Sequence, residues 1–372
     1  MDRHQIEQDA MARALALAAT PGTPLGPNPR VGCVLLSPEG DVVAEGRHRG
    51  AGTAHAEVDA LRRAGDRARG ATAVVTLEPC NHTGRTGPCA QALVEAGVAR
   101  VVHAQSDPNP VAAGGAERLR AAGVEVVPGV LADQASALNR AWTFGLVHQR
   151  PFVTWKFAAG LDGRSAAADG TSRWISSSAS RRDVHALRAS VDTVLVGTGT
   201  ALADDPALTV RDAEGNPAPH QPLRAVMGKR SLPPGSRLLD ESLDALVLDT
   251  LVLDTRDPRE ALARIFDAGR RHVLLEGGPT LAAAFLAAGL VDEVVAYVAP
   301  VLLGSGSAAV GDLGVSTIAD AHRLDVVDVR TIRGEAGGAA AGPDAEAGQV
   351  DVRITLRPRT TLHSRLSAAG ER

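Results

Sequence analysis

Four residues between positions 55 and 89 have the types and spacing of a catalytic metal site. His55, Cys80 and Cys89 offer one imidazole and two thiolates, a donor set that suits zinc, and a catalytic zinc site leaves its fourth position to water. Zinc lowers the pKa of that water, and Glu57 is placed to take the proton and pass it to a leaving amine. This chemistry is typical of a zinc deaminase, which attacks an amino-bearing ring carbon and releases ammonia.

The neighbouring sequence predicts the elements that hold these side chains. His55 and Glu57 open a run with helical spacing of its apolar residues, and Gly65 suits its C-terminal end. Cys89 opens a second helical run, and a helix N-terminus favours a thiolate. A strand-like stretch at residues 73–77 lies between the two runs. Both ligand-bearing turns are therefore expected to face the metal from helix ends.

The cysteines could also have a purely structural role. A structural zinc site normally has four protein ligands, whereas this stretch supplies three. The remaining cysteine, Cys33, lies in an apolar strand-like run and is interpreted as a core residue. Three cysteines are an odd count, and Cys80 and Cys89 are better used on zinc than in a disulfide.

Length and composition restrict the class of protein. A chain of 372 residues with 44% hydrophobic residues is long enough for two domains. Nucleic-acid binding requires a basic surface and aromatic side chains on which bases stack. A net charge of -4 and an aromatic content of 2% therefore disfavour a nucleic-acid partner and favour a small molecule.

No apolar run approaches the length needed to span a membrane, and no signal-type core opens the chain, so a cytoplasmic protein is expected.

The first half of the chain alternates between helical and strand-like patterns, which indicates an α/β domain with a parallel or mixed sheet. Helices are predicted at residues 5–19, 55–65, 89–97, 116–122 and 131–147, and strands at 31–36, 42–45, 73–77, 100–104 and 124–127. Arg150 and Pro151 are the predicted boundary between domains.

The second half continues the same alternation. Strands are predicted at 152–157, 193–196, 225–227, 272–276, 293–299 and 350–356, and helices at 179–189, 258–268 and 280–288. The repeat LVLDT-LVLDT at 246–255 contains one strand, in either copy. Gly277 and Gly278 precede a helix and are equally compatible with a phosphate cradle and with an ordinary connection. A GxGxxG motif is missing, so a Rossmann site is not indicated. A disordered loop is expected at 334–348.

Several ordered motifs resemble one family. The loop between the two cysteine ligands, PCNHTGRTGPC, together with HAE and NPRVGCVLL upstream, is similar to the bifunctional deaminase-reductases of riboflavin biosynthesis. The resemblance continues through KFAAGLDGR, GTSRWI, HALRA, GTGTALADDPALTVR and LLEGGPTLAAAFLAAGLVDE. It implies a cytidine-deaminase-like three-layer domain at 1–148 and a dihydrofolate-reductase-like domain at 151–358. Residues 359–372 are expected to be a mobile tail.

The resemblance also implies a function for each half. The first domain would use zinc to deaminate 2,5-diamino-6-(phosphoribosylamino)pyrimidin-4-one, with Glu57 as the catalytic residue. The second would use NADPH to reduce the ribose of the product to ribitol. Candidate substrate contacts in the first domain are Asn28, His82 and Arg85.

In the reductase half the resemblance assigns two sets of residues. The NADPH contacts would be Ala158, Trp174, Thr200, Asp204, Gly278, Pro279, Thr280, Leu281, Ala282, Ala283 and Ala284. The substrate contacts would be Lys156, Ser172, Arg188, Leu208, Arg211 and Glu276. Arg188 and Arg211 suit a sugar phosphate because a guanidinium matches phosphate oxygens in a bidentate manner. Lys156 lies on an otherwise apolar strand, where a charge needs a partner or a function; it either pairs with Glu276 or acts at the ribose.

Two alternatives remain open at this point. One is a deaminase of another nucleotide whose second domain is non-catalytic or regulatory. The other is a nucleic-acid-binding or editing protein, against which the composition argues. The sequence leaves open whether the chain forms a homo-oligomer.

Overall fold

The computed structural model describes residues 2–82, 87–212, 214–240, 248–334 and 349–359. The predicted loop beyond Gly334 and the predicted tail beyond Arg359 lie outside the described residues. The described residues up to Pro151, with Gly269–Arg271, form one compact unit, and the described residues at 152–268 and from His272 onwards form a second.

The first unit is built on a mixed sheet. Within the described residues the strand order is β2-β1-β3-β4-β5; β1 runs antiparallel to β2 and β3, and β3, β4 and β5 are parallel. The elements are α1 Arg3–Ala18, β1 Gly32–Leu36, β2 Val42–Arg47, α2 Ala56–Ala64, β3 Thr72–Leu77, α3 Cys89–Glu95, β4 Arg100–Gln105, α4 Gly115–Ala121, β5 Glu125–Pro128, α5 Ala132–Leu138 and α6 Arg140–His148.

Alternation along β1 divides the core of this unit between the two faces of the sheet. Cys33 and Leu35 belong to a buried cluster that includes Ala60 of α2 and Leu93 of α3. Val34 and Leu36 belong to another cluster, with residues of α1 and α5. Successive strand residues point to opposite faces, so this apolar strand is covered by helices on both sides. The three-layer arrangement is confirmed, and Cys33 is a core residue as predicted.

The single helix predicted at 131–147 is wrong in one respect, because the structure divides it into α5 and α6. Asn139 lies between them with φ -103° and ψ 15°. Its side-chain amide donates to the carbonyl of Arg30 at 3.0 Å and accepts from the amide of Arg30 at 2.9 Å. Helical periodicity cannot reveal this break, since the bonding partner lies 109 positions away in the chain.

The second unit contains a longer sheet. Within the described residues its strand order is β12-β13-β11-β6-β10-β7-β8-β9; β6 to β11 are parallel, and β13 pairs antiparallel with β11 and β12. The elements are β6 Phe152–Gly160, α7 Ser178–Ala189, β7 Thr193–Gly197, α8 Thr198–Asp204, β8 Leu223–Met227, β9 Thr250–Leu253, α9 Pro258–Asp267, β10 His272–Leu275, α10 Pro279–Ala287, β11 Glu293–Ala299, β12 Leu324–Arg333 and β13 Val350–Pro358.

Three features of this unit extend the sequence-based prediction. Strand β9 falls mainly in the second LVLDT copy, which resolves the choice between the copies. Helix α8 and strand β12 were not predicted. The α8 sequence is short and rich in glycine and threonine, which resembles a turn. Strand β12 is exposed along nearly all of its length. Its alternation between apolar and polar residues is interrupted at Val326-Val327, so the strand lacks the regular period that identifies a half-buried strand.

Two helices of the second unit begin at the carboxyl edge of the sheet, directly after parallel strands. Helix α8 follows β7 without an intervening loop, and α10 follows β10 after Glu276, Gly277 and Gly278. A Cβ at Gly277 would lie 2.5 Å from the Leu281 side chain, so any larger residue in this tight turn would displace Leu281. Ligands of open α/β sheets bind at this edge. Among the described residues, no helix has both the length and the apolar character needed to cross a membrane.

Gly46 provides a test of how closely α2 packs on β2. A Cβ at this position would lie 2.1 Å from the Ala56 carbonyl oxygen and 2.4 Å from the Ala60 amide nitrogen. We expect Gly46→Ala to lower the free energy of unfolding by about 1–3 kcal/mol, because the helix must shift to accept the methyl group. Chemical denaturation of the variant and the parent protein measures this difference. Gly334→Ala is the matched control, since a Cβ there meets nothing within 4 Å; equal stability of both variants would contradict the close packing.

Candidate active sites

The three predicted metal ligands meet in the first unit. His55 immediately precedes α2, Cys89 is the first residue of α3, and Cys80 lies in the connection after β3. His55 Nδ1 lies 3.2 Å from Cys89 Sγ and 3.6 Å from Cys80 Sγ, and the potential ligand atoms all lie within 4.8 Å of one another. The backbone amide of Cys89 also donates to Cys80 Sγ at 3.4 Å.

This geometry fits a zinc ion. Tetrahedral bonds of about 2.0 Å to nitrogen and 2.3 Å to sulfur separate the ligand atoms by about 3.5–3.8 Å, close to the observed Nδ1 to Sγ distances. Among the described residues, this group contains three histidine, cysteine or acidic side chains and no fourth. An imidazole, two thiols and an open position are the arrangement of a catalytic site, not of a closed structural one.

The two thiols of the cluster change each other's pKa in opposite directions. Hydrogen bonding with Cys89 lowers the pKa of Cys80 to about 4, and the same interaction with Cys80 raises the pKa of Cys89. Cys80 is therefore the more acidic of the two thiols. Zinc ligands lose their protons when the metal binds, so both side chains would hold zinc as thiolates.

Glu57 is the carboxylate beside the ligand cluster. It is the second residue of α2 and its side chain is buried. Burial raises the pKa of Glu57 to about 7, which places the group where it can both accept and donate a proton near neutral pH. The structure thus combines a metal-ligand cluster with a carboxyl group suited to proton transfer.

A cavity of about 200 Å³ opens beside the cluster. Two further predicted residues, Asn28 and His82, line it, whereas Arg85 lies outside the described residues. Several lining residues were not predicted: His48, Glu78, Asp107, Asn109 and Trp142. Asp107 and Asn109 belong to the Asp-Pro-Asn-Pro turn after β4, and a turn at the carboxyl end of a parallel strand could have indicated them.

His48 and Asp107 give this cavity its polar character. The Nδ1 atom of His48 donates to the Ala54 carbonyl at 3.1 Å, and its Nε2 atom accepts from the Asn28 side-chain amide at 3.1 Å. Burial lowers the pKa of His48, in agreement with a neutral ring that fixes the Asn28 amide. Burial raises the pKa of Asp107 to about 6. The cavity therefore offers both donors and acceptors to a polar ring.

In the second unit, two of the segments assigned to NADPH meet at the carboxyl edge of the sheet. The Gly278 amide donates to Thr200 Oγ1 at 3.2 Å, which joins the start of α10 to α8. The Arg230 guanidinium, which was not predicted as a site residue, lies beside this turn. Its Nη2 atom would be 3.2 Å from a Cβ at Gly199. Glycine turns at helix N-termini with a nearby cation are suited to phosphate groups. These residues fit a dinucleotide phosphate.

The other residues assigned to NADPH and substrate lie in several elements. Ala158 lies in β6, and Pro279 to Ala284 form the first turns of α10.

The Trp174 side chain is 63% exposed, with the Arg181 guanidinium 4.3 Å from its ring centre. The Asp204 carbonyl accepts from Arg173 Nη2 at 3.2 Å. Leu208 is buried, and Ser172 is exposed in the turn before Trp174.

A mostly buried charge cluster lies between β6, α7 and the residue after β10. Arg188 donates to both carboxylate oxygens of Glu276, from Nε at 2.6 Å and from Nη2 at 3.1 Å. Lys156 Nζ lies farther from this carboxylate, at 4.0 Å, and burial lowers the pKa of Lys156. Glu276 thus has its main partner in Arg188, and the pairing with Lys156 is the weaker of the two.

The two arginines predicted to hold a sugar phosphate have different protein partners in the structure. Arg188 also donates to the Thr209 carbonyl at 3.1 Å, so its guanidinium faces protein groups. Arg211 donates from its backbone amide to His185 Nδ1 at 3.2 Å and from Nη1 to the Gly215 carbonyl at 2.9 Å. It lines a separate depression with Arg182 and His185.

Comparisons with known proteins agree with both units. The family model described as "Cytidine and deoxycytidylate deaminase zinc-binding region" matches residues 4–105, and the model described as "RibD C-terminal domain" matches residues 151–336. The riboflavin biosynthesis protein RibD of Mycobacterium tuberculosis is 54% identical over 307 residues, which cover 82% of this chain and 88% of the relative. RibD of Escherichia coli is 40% identical, with 87% and 95% covered.

Solved structures are similar along almost the whole chain. Acinetobacter baumannii RibD has a TM-score of 0.78 at 38% identity and covers 96% of this chain and all of its own. A Thermotoga maritima diaminohydroxyphosphoribosylaminopyrimidine deaminase/5-amino-6-(5-phosphoribosylamino)uracil reductase has the same TM-score at 31% identity and the same coverage. The chain therefore belongs to the RibD family of riboflavin biosynthesis enzymes, as a zinc-dependent deaminase joined to an NADPH-dependent reductase of dihydrofolate-reductase-like fold.

Proposed function

We propose that residues 1–148 deaminate 2,5-diamino-6-(5-phosphoribosylamino)pyrimidin-4(3H)-one and that residues 151–358 reduce the ribose of 5-amino-6-(5-phosphoribosylamino)uracil to ribitol. The observation that carries the first step is the His55, Cys80 and Cys89 cluster with Glu57 beside it in a polar cavity. The name of the Thermotoga maritima relative contains both activities, which supports two activities in one chain. Small-molecule substrates and a cytoplasmic location complete the proposal.

In the deaminase unit each residue has a limited task. Bound zinc supplies Lewis acidity, which makes water nucleophilic at neutral pH. Glu57 holds a proton at its carboxyl group and transfers it to the departing amine, which leaves as ammonia. Asn28, fixed by His48, and His82 contact the pyrimidine. Arg85, outside the described residues, is proposed to contact the phosphate.

In the reductase unit the protein mainly positions the reacting groups. NADPH supplies the hydride, and this chemistry belongs to the cofactor. The Gly278 turn and Thr200 hold its phosphates, with Ala158, Trp174 and Asp204 along the same site. Lys156 acts at the ribose in this proposal, which is supported by its mostly buried side chain and its long 4.0 Å distance from the Glu276 carboxylate. Ser172, Arg188, Leu208, Arg211 and Glu276 complete the proposed substrate site.

Glu57→Gln tests the proton-transfer role. We expect ammonia release to fall by about 10²–10⁴-fold, since an amide cannot exchange the proton, while the zinc content stays at the parent level. Ammonia assays and metal analysis measure the two properties. Glu95→Gln, an exposed position on α3, is the matched control. Normal ammonia release by the zinc-loaded Glu57→Gln variant would contradict the assignment.

Lys156→Met distinguishes a role at the ribose from simple pairing. We expect NADPH oxidation with the deaminated substrate to fall by at least about 10²-fold, with unchanged ammonia release and little change in stability, because Arg188 still pairs with Glu276. Lys229→Met is a close control, since Lys229 is the other lysine of the chain and is exposed. A large loss of stability with normal NADPH oxidation would instead support a purely structural lysine.

Glu276→Gln tests the charge cluster through its pH dependence. Burial alone would raise the pKa of Glu276, but Arg188 and Lys156 lower it from 4.5 to about 2. A lowered carboxyl pKa stabilises the fold above the ordinary value and loses this effect as pH falls through the folded value. The variant should therefore be less stable by about 3–5 kcal/mol near neutral pH, and the difference should shrink between pH 4.5 and 2. Denaturation at several pH values measures it; a pH-independent difference would be the contrary result.

A further inference from the structure

A fully buried aspartate near the start of β13 takes no part in the reactions proposed above. Asp351 is the second residue of this strand, and the residues on either side of it are only half-buried. Its Oδ2 atom accepts from the backbone amide and the hydroxyl of Ser177, both at 2.7 Å, and from the Ser180 hydroxyl at 2.5 Å. Its Oδ1 atom accepts from the Gln349 side-chain amide at 2.9 Å. Burial of a carboxylate is costly unless donors surround it, so this position is built to hold the Asp351 side chain.

Two of these donors connect Asp351 to the loop that carries Trp174. Ser177 directly precedes α7 and caps its first turn. The Gln349 side-chain amide donates to the Ile175 carbonyl at 3.1 Å as well as to Asp351. Strand β13 therefore fixes both the start of α7 and the backbone of the residue directly after Trp174.

Arg181 continues this connection to the tryptophan ring. It lies in the first turn of α7, and its Nη1 atom donates to the Ser176 carbonyl at 2.9 Å. Its guanidinium lies over the Trp174 ring, an arrangement in which the cation is attracted to the ring face. Because Trp174 is largely exposed, its orientation depends on this contact and on the backbone that follows it more than on core packing.

We propose that Asp351 is a positioning residue of the reductase unit, which acts through Ser177 and Arg181 to keep Trp174 in the orientation that receives NADPH. This inference rests on the proposed contact between Trp174 and the cofactor. A ring that already has its bound orientation loses less conformational entropy when the cofactor binds. Loss of the carboxylate should therefore weaken the binding of NADPH and have little effect on the reaction of the bound cofactor.

Asp351→Asn tests this role, because the amide keeps the size of the side chain but replaces one acceptor oxygen with a donor. We expect the KM and the dissociation constant for NADPH to rise by about 10-fold, with a change in kcat of less than about twofold. Ammonia release by the first unit should stay at the parent level. Calorimetric titration of the full chain with NADPH and steady-state NADPH oxidation measure these constants. Asp267→Asn, an exposed position at the end of α9, is the matched control.

A double-mutant cycle with Trp174→Ala distinguishes positioning of the ring from a general structural role. Trp174→Ala alone should also raise the KM for NADPH. In that background Asp351→Asn should add less than about twofold, because a residue that acts through the ring has little effect once the ring is removed. The same increase in both backgrounds would overturn the role through Trp174 and indicate a structural role instead.

Ser180→Ala protects the test against a misfolded variant. It removes one donor to Asp351 and keeps the carboxylate, so it should raise the KM for NADPH in the same direction, and it replaces Asp351→Asn in the cycle if thermal unfolding shows that the latter is not folded. Parent-like affinity for NADPH in the folded variant, together with weak binding by Trp174→Ala, would overturn this inference alone. Parent-like affinity in Trp174→Ala would overturn the proposed cofactor contact as well.

Discussion

The first unit depends on bringing one imidazole nitrogen and two sulfur atoms within a few ångströms of one another, although they come from separate elements. His55 enters from the start of α2, Cys89 from the start of α3, and Cys80 from the end of β3. Small residues make this possible: Gly46 lets α2 approach β2, and Ala56 and Ala60 are fully buried in the same contact. The packing of the helix on the sheet therefore determines the spacing of the metal ligands.

The second unit depends on a different interaction, the pairing of charged side chains that are mostly removed from water. Glu276 follows β10 at the carboxyl edge of the sheet, where Arg188 satisfies both of its oxygens. Removing one member of such a pair leaves an uncompensated charge, so α7 and β10 are held in place by the same interaction that shapes the site. Lys156, 4.0 Å from the same carboxylate, is the more weakly paired cation of this cluster.

The metal cluster could be predicted from sequence because its signals are local. His55 and Cys89 lie at the starts of helical runs, and Glu57 is two positions from His55. The Gly277-Gly278 turn before α10 was recognised from the same kind of local signal. The contributions of His48 and Arg230 could not be predicted in this way, since their roles depend on which loops meet in space. The break at Asn139 and the exposed β12 were missed for related physical reasons: one depends on a distant backbone partner, and the other lacks a buried face.

The most direct test of two successive reactions is a single time course with zinc-loaded protein, the phosphorylated diaminopyrimidinone and NADPH, in which ammonia release and NADPH oxidation are followed together. If the deaminase unit supplies the substrate of the reductase unit, ammonia appears first, NADPH oxidation follows after a lag, and both reach equal amounts. NADPH oxidation without preceding ammonia, or ammonia release that never leads to NADPH oxidation, would contradict this order.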